Sequence, residues 1–215
     1  TEVKNTALIT ANATDQGNGG KVIVWADERT QYKGIIEAKG GVDAGNGGFA
    51  EVSGKNNLDF QGGVDLKGDK KGTLLLDPTD ITISGDPVAV AGPNLFRVDD
   101  LETLSITSDI TLAADNTITL ELQTASLDLV NDSFLTLTTT NSDISTASAG
   151  AITTTGSAEV FLDSGGDIII DHALALTTHI ARFLADSGTI SITYAITASN
   201  VFTMISDDIN IATSV

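Results

Sequence analysis

The chain of 215 residues has no cysteine, three prolines, one tryptophan and no run of 18 apolar residues. Without thiols there is no disulfide framework and no cysteine-based zinc site. Without a long apolar run no helix spans a bilayer, so membrane insertion is not expected. Aromatic residues make up 5% against 41% hydrophobic overall. A core must therefore be built from Val, Ile, Leu and Ala. Bases are also scarce, with 11 Lys+Arg against 29 Asp+Glu and a net charge of −18. Phosphate recognition needs a basic footprint, so no nucleic acid partner is expected, and an anionic membrane surface is disfavoured too. The same charge attracts divalent cations.

What bases and glycines there are lie early. Residues 1–80 hold nine of the eleven Lys+Arg, twelve of the 29 acids and fourteen of the 21 glycines, whereas Arg97 and Arg182 are the only bases after residue 80. No signal-peptide pattern opens the chain, and Thr1-Glu2-Val3-Lys4 reads as interior sequence. A fragment or processed piece of a longer precursor is expected.

The chain repeats itself. GNGGKVIVWADE at 17–28 returns as GNGGFAEVSGKN at 45–56, with Gly-Asn-Gly-Gly before an alternating apolar run each time. Short segments rich in Val, Ile, Leu and Thr alternate apolar and polar, the period of a half-buried strand: 21–25, 34–38, 49–53, 57–61, 64–67, 73–76 and 80–84. Later, VFLDSGGDIII at 160–170 matches RFLADSGTISI at 182–192 and VFTMISDDINI at 201–211. Aligned in this way, Phe134, Phe161, Phe183 and Phe202 are expected to stack as one internal ladder. Self-similarity at a period of about twenty to thirty residues favours a parallel solenoid over a β-sandwich. The fold expected is all-β: a right-handed parallel β-helix with one short α-helix. Roughly nine or ten coils at about 4.8 Å each would give a rod on the order of 45 Å long.

Apolar residues at 95, 98, 101 and 104 place that helix near residues 99–104, with Asp99 and Glu102 as a capping box. The organisation expected is Gly-rich coils over 1–92, a helical interruption over 93–109, and Thr/Asp-rich coils over 110–215. Glycines 19–20, 47–48 and 62–63 are assigned positive φ, and Asn18 and Asn46 the left-handed region or local turns. Acids at turns are expected to keep the flanks charged.

The phrases GNGGKVIVWAD, GGFAEVSGKNNLDFQGGVDL, KGTLLLDPTDITI and LETLSITSDITLAADNTITL, in this order, resemble the filamentous haemagglutinin family of bacterial surface proteins exported by two-partner secretion. The resemblance covers about 17–84 and 98–120 and is only compositional beyond. It implies a right-handed β-helix, an extracellular or bacterial cell-surface location, and roles in adhesion, aggregation and biofilm. It implies no catalytic site. The family's amino-terminal secretion domain is not recognisable here.

Candidate chemistry is thin. Asp163-Ser164-Gly165-Gly166 carries the DSGG of a serine nucleophile but reads as a turn, because Asp186-Ser187-Gly188 repeats it without a histidine. His172 and His179, seven apart, fit no usual metal spacing. Asp99, Asp100, Asp207 and Asp208 are the candidate calcium ligands, and no other cofactor is expected. Asp163, Asp167, Asp171 and Asp186 could line the acidic face of a polysaccharide-acting enzyme, a reading ranked below a structural one. Trp25 and Tyr32 could form a small sugar or partner contact. The terminal strands show no cap, so a polymer contact is assigned to Thr6, Ala7, Leu8, Ile9 and Thr10 at one end and to Ile205, Ile209 and Ile211 at the other. The partners expected are copies of the chain itself, or a cell-surface glycan or protein receptor.

Overall fold

The computed structural model describes residues 1–89, 92–130, 132–194, 196–198 and 201–212. It is a parallel β-solenoid of about eight turns with one helix. The chain winds around three faces. The first is built from Lys21–Ala26, Phe49–Gly54, Gly72–Asp77, Ser108–Ala114, Phe134–Thr139, Glu159–Ser164 and the first arms of Ile180–Ile192 and Val201–Ile211, each parallel to the next. Strand alternation points every second residue inward. The inward residues then form columns that run the length of the stack. One is Val22, Ala50, Leu74, Ile110, Leu135, Val160, Ala181, Phe202. Its neighbour is Val24, Val52, Leu76, Leu112, Leu137, Leu162, Phe183, Met204.

The second face carries a column of isoleucines alone: Ile81, Ile118, Ile144, Ile168, Ile190, Ile209. All but the last are buried. β-branched side chains have few rotamers to lose, and identical neighbours stack without voids.

The coils are longer and less equal than the repeats imply. Successive members of the first column lie 28, 24, 36, 25, 25, 21 and 21 residues apart. About eight coils therefore replace the expected nine or ten, giving a rod of roughly 35–40 Å. The 36-residue coil contains the interruption. Leu95–Arg97 pairs beside Ile81–Ser84 on the second face. Asn94 ties this inserted strand to the preceding coil, accepting Leu58 N–H through Oδ1 at 2.8 Å and donating its own N–H to Leu58 O at 2.7 Å.

The helix Val98–Ser105 then occupies the third face between Gly63–Asp65 and Ser126–Leu129, where other coils place a strand. It buries Val98, Leu101 and Leu104 as the spacing predicts. Its cap differs. Arg97 is the N-cap residue and makes no side-chain cap bond. Its guanidinium instead grips the Asp100 carboxylate at 2.8 and 2.9 Å. Glu102 reaches forward to the Asp128 N–H at 2.8 Å. The helix has no base in its last turn, so Lys71 from the neighbouring coil supplies one. Its ammonium donates to Ser105 O at 2.7 Å and to Ser133 Oγ at 2.6 Å, where the helix dipole favours a cation.

The phenylalanine ladder does not form. Phe161 lies opposite Arg182, whereas Phe183 lies opposite Leu162. The first arms are offset by 21 residues, and only the second arms by the 22 that the sequence match suggests. A one-residue slip turns every side chain to the other face. Phe161 therefore points outward and Phe183 is buried. Phe134 is exposed, and only Phe183 and Phe202 meet, edge to face at 4.9 Å.

The Gly-Asn-Gly-Gly turns also work differently from the expectation. Positive φ falls on Gly17 and Gly45, ahead of the positions assigned it. Gly47 is required by close approach: a Cβ there would sit 1.7 Å from Leu66 O. Asn18 and Asn46 are not left-handed. Asn18 Oδ1 accepts the Asn46 N–H at 2.9 Å, one coil onward. Acids repeat this device. Asp69 accepts Gly45 N–H, Asp143 accepts Asp167 N–H and Asp167 accepts Thr189 N–H, at 2.7–2.9 Å.

Two predictions follow from the packing. Ile144→Ala, in the middle of the isoleucine column, should cost about 2–5 kcal/mol in urea unfolding, while Ser145→Ala beside it on the outer surface stays within about 0.5 kcal/mol. Lys71→Met should cost about 1–3 kcal/mol, because Ser105 O, Val130 O and Ser133 Oγ lose a charged donor.

Candidate functional site

The assigned end residues fall only partly in strands: Leu8–Thr10 follows a first strand Glu2–Val3, Thr6 and Ala7 lie between the two, and Ile205, Ile209 and Ile211 belong to Val201–Ile211. Leu8–Thr10 pairs with Ile35–Glu37 on one side only, and Val201–Ile211 pairs with Ile180–Ile192 on one side only among the described residues. Leu8 is exposed, Ile9 packs against the core, and Thr6 and Thr10 are exposed. Ala7 lies in the turn before the strand, its carbonyl accepting Ile35 N–H. At the other end Ile209 and Ile211 are the last members of inward columns among the described residues, where no described coil covers them and both are exposed. Ile205 differs from them, as it points outward from the first face. The segment 213–215 lies outside the described residues.

The calcium candidates are dispersed. Asp100 is paired with Arg97, Asp99 is exposed on the helix, and Asp207 and Asp208 are exposed on the last strand. Among the described residues no group of three or more His, Cys, Asp or Glu side chains could hold a metal ion.

Ser164 is a buried structural hydroxyl. Its Oγ lies within hydrogen-bond distance of Ser142 O and Asp167 O, both at 2.9 Å, and 3.1 Å from Thr139 Oγ1. The coil below places Ala185 opposite it, so Asp186-Ser187-Gly188, at the register irregularity inside Ile180–Ile192, is not its structural repeat. His172 Nδ1 lies 2.8 Å from Asp171 Oδ1 and its ring stacks on Tyr194. His179 is exposed. Of the four acids, Asp163 and Asp186 lie close enough to feel each other's charge, but the other two stand apart. Asp167 and Asp171 flank the strand Ile168–Ile170, about 13 Å apart along an extended chain, beyond the separation glycosidic carboxylates use. Tyr32 is fully buried and stacks on Phe60 at 5.6 Å. Burial pushes its hydroxyl up to about 12. It therefore forms no surface contact with Trp25, which is half exposed on the first face.

A feature that sequence reasoning missed is a groove of about 450 Å³ beside the helix. Phe60, Val64, Leu104 and Ile106 form its apolar wall, and the Arg97–Asp100 pair stands at its rim. It exists because a helix is wider than the strand it replaces. Only knowledge of which coil the helix enters could have revealed it.

A second feature is the acid cluster on the first face. Asp77 is pushed up to about 6, first by burial and then by the negative charges of Asp115 and Glu51. Asp163 is also raised, by burial and by Asp186. No helix of the described residues is long and apolar enough to cross a membrane. No protein family, curated protein or solved structure matches the chain.

The Asp77 shift sets a pH dependence. The folded state holds the proton more tightly than the unfolded chain. The resulting stability is fully present below about pH 4 and is lost as pH rises through about 6. Asp77→Asn should therefore flatten that limb and leave the protein more stable at pH 7, by at most about 2–3 kcal/mol, as read by thermal unfolding across pH 4–8.

Proposed function

We propose that the chain is a structural or adhesive segment of a bacterial cell-surface or extracellular filament of the filamentous haemagglutinin type. The observation that carries this reading is the unbroken ladder. Eight strands of the first face stack in register, each coil pairing only with its neighbours, which makes a stiff rod suited to multivalent display. The order of the Gly-rich and Thr-rich phrases supports the family and, through it, two-partner secretion and a part in biofilm. In this reading Leu8–Thr10 and the exposed column ends Ile209 and Ile211 dock head to tail on further copies, and calcium screens the acidic half.

A second reading, a slice of a long adhesin that binds host or neighbour-cell glycans, draws on Trp25, half exposed on the outer surface. Negative-stain electron microscopy with calcium and then with chelator tests the first. Filaments with a regular axial repeat, dissolved by chelator, are the expected result. Isolated short rods under both conditions would overturn the filament and favour the adhesin.

A further inference from the structure

One strand edge on the flank of the rod has no strand beside it. The coil over 49–66 runs through Asn57–Phe60 and Gly63–Asp65, and each of these strands ends its sheet. Alternate residues bond the coil behind: the N–H groups of Asn57, Gln61 and Gly63 donate to the Glu28, Tyr32 and Gly34 carbonyls at 2.8–3.0 Å. Leu58, Phe60, Gly62, Val64 and Leu66 therefore turn their backbone groups forward, towards the inserted strand and helix. Asn94 satisfies Leu58 at one end of this edge. Thr107 closes the other, its Oγ1 donating to Val64 O at 2.6 Å and its carbonyl accepting Leu66 N–H at 3.2 Å.

Between these two ties the edge is open. Leu95–Arg97 pairs with Ile81–Ser84 and not with Asn57–Phe60. Gly62 neither donates nor accepts a hydrogen bond among the described residues. No side chain shields it, because a Cβ there would sit 2.5 Å from Tyr32 Cδ1 and 2.6 Å from Gly34 O, against the coil behind. The groove beside the helix lies along this stretch, with Phe60, Val64, Leu104 and Ile106 as its apolar wall. Its rim charges, Arg97 and Asp100, neutralise each other at 2.8 Å. An uncharged apolar wall thus stands next to a free donor and a free acceptor on one backbone residue.

The geometry points to an extended peptide segment of a partner protein as the occupant, added as one more strand along 60–64 with an apolar side chain against Phe60, Leu104 and Ile106. An unpaired edge is a template for a further strand, whose backbone bonds supply affinity while the pocket beside it selects the side chain. The open stretch is roughly 13 Å long, room for about four extended residues. An acyl chain would cover the wall but leave the Gly62 groups without partners. A charged segment gains nothing at a rim whose charges are already paired. Ile35–Glu37 stands between this edge and the end strand Leu8–Thr10, so the groove is separate from the coil ends and the inference goes beyond the filament reading.

The probe is a short blocked peptide alternating Thr and Val, with a lysine at each end for solubility. Titrated into the full chain, it should bind saturably and slow hydrogen exchange of the Gly62 N–H by about tenfold or more. Ile106→Asp puts a charge on the exposed part of the wall, and Thr103→Trp fills the groove from the helix. Each should weaken binding by about tenfold or more with circular dichroism unchanged. Val42→Asp, at an exposed position outside the groove, should bind as the unaltered chain does. The same peptide with every backbone nitrogen methylated cannot complete the ladder and should not bind. No saturable binding, or binding that Ile106→Asp and Thr103→Trp leave unchanged, would overturn the proposal. Binding without protection of Gly62, or equal binding of the methylated peptide, would also overturn it, reducing the groove to an apolar pocket. Filament formation is read separately by microscopy and stands whichever way the peptide result falls.

Discussion

The rest of the structure depends on the parallel hydrogen-bond ladder between successive coils. It fixes an axial step of about 4.8 Å and a residue-for-residue register. Once the register is fixed, each inward position sees the same position of the coils above and below. The inward positions then form columns, a line of isoleucines from Ile81 to Ile209 and two mixed apolar lines beneath the first face. A core of this kind needs few aromatic residues, and 5% suffices.

The corners answer to the same constraint. Each coil must turn three times without disturbing the ladder on either side, and two devices do this. Where backbones cross closely the side chain is removed, as at Gly47. Where a turn leaves an N–H pointing along the axis, a carboxylate or amide from the adjacent coil accepts it, as Asn18, Asp69, Asp143 and Asp167 do. Part of the acidity of this chain is thus hydrogen-bonding capacity spent between coils. The expectation that turn acids only keep the flanks charged missed this, because a bond from one coil to the next looks, in sequence, like an unrelated aspartate some 25 residues away.

Much of the fold was legible in the sequence. Strict alternation marked most strands, self-similarity marked the solenoid, and the 95, 98, 101, 104 spacing marked the helix. The strand Arg29–Tyr32 was missed because its inward residues are Thr30 and Tyr32, and a buried threonine satisfied by Ser53 O carries no hydrophobic signal. The phenylalanine ladder failed because matching letters placed the offset at 22, whereas the irregularity between Ala185 and Thr189 gives the two arms different offsets. The capping box failed because the helix already begins at Val98, which puts Asp99 inside the first turn, and Glu102 accepts the Asp128 N–H instead. The site was less legible than the fold. Trp25 and Tyr32, seven apart, differ in fate only because they fall on different faces of different strands.

The inserted strand and helix show how local the constraint is. The 36-residue coil adds Leu95–Arg97 to one face and exchanges a strand for a helix on another, yet Gly72–Asp77 and Ser108–Ala114 on the first face pair without a shift. In a stack where each coil feels only its neighbours, an irregularity need only restore the register of the next strand. Lys71 and Glu102 do this on either side of the helix by tying its ends to flanking coils. The groove left beside the helix is an outcome of this rule. Variation gathers where the ladder is already broken, and a pattern that must run the length of the rod can be written only where it is not.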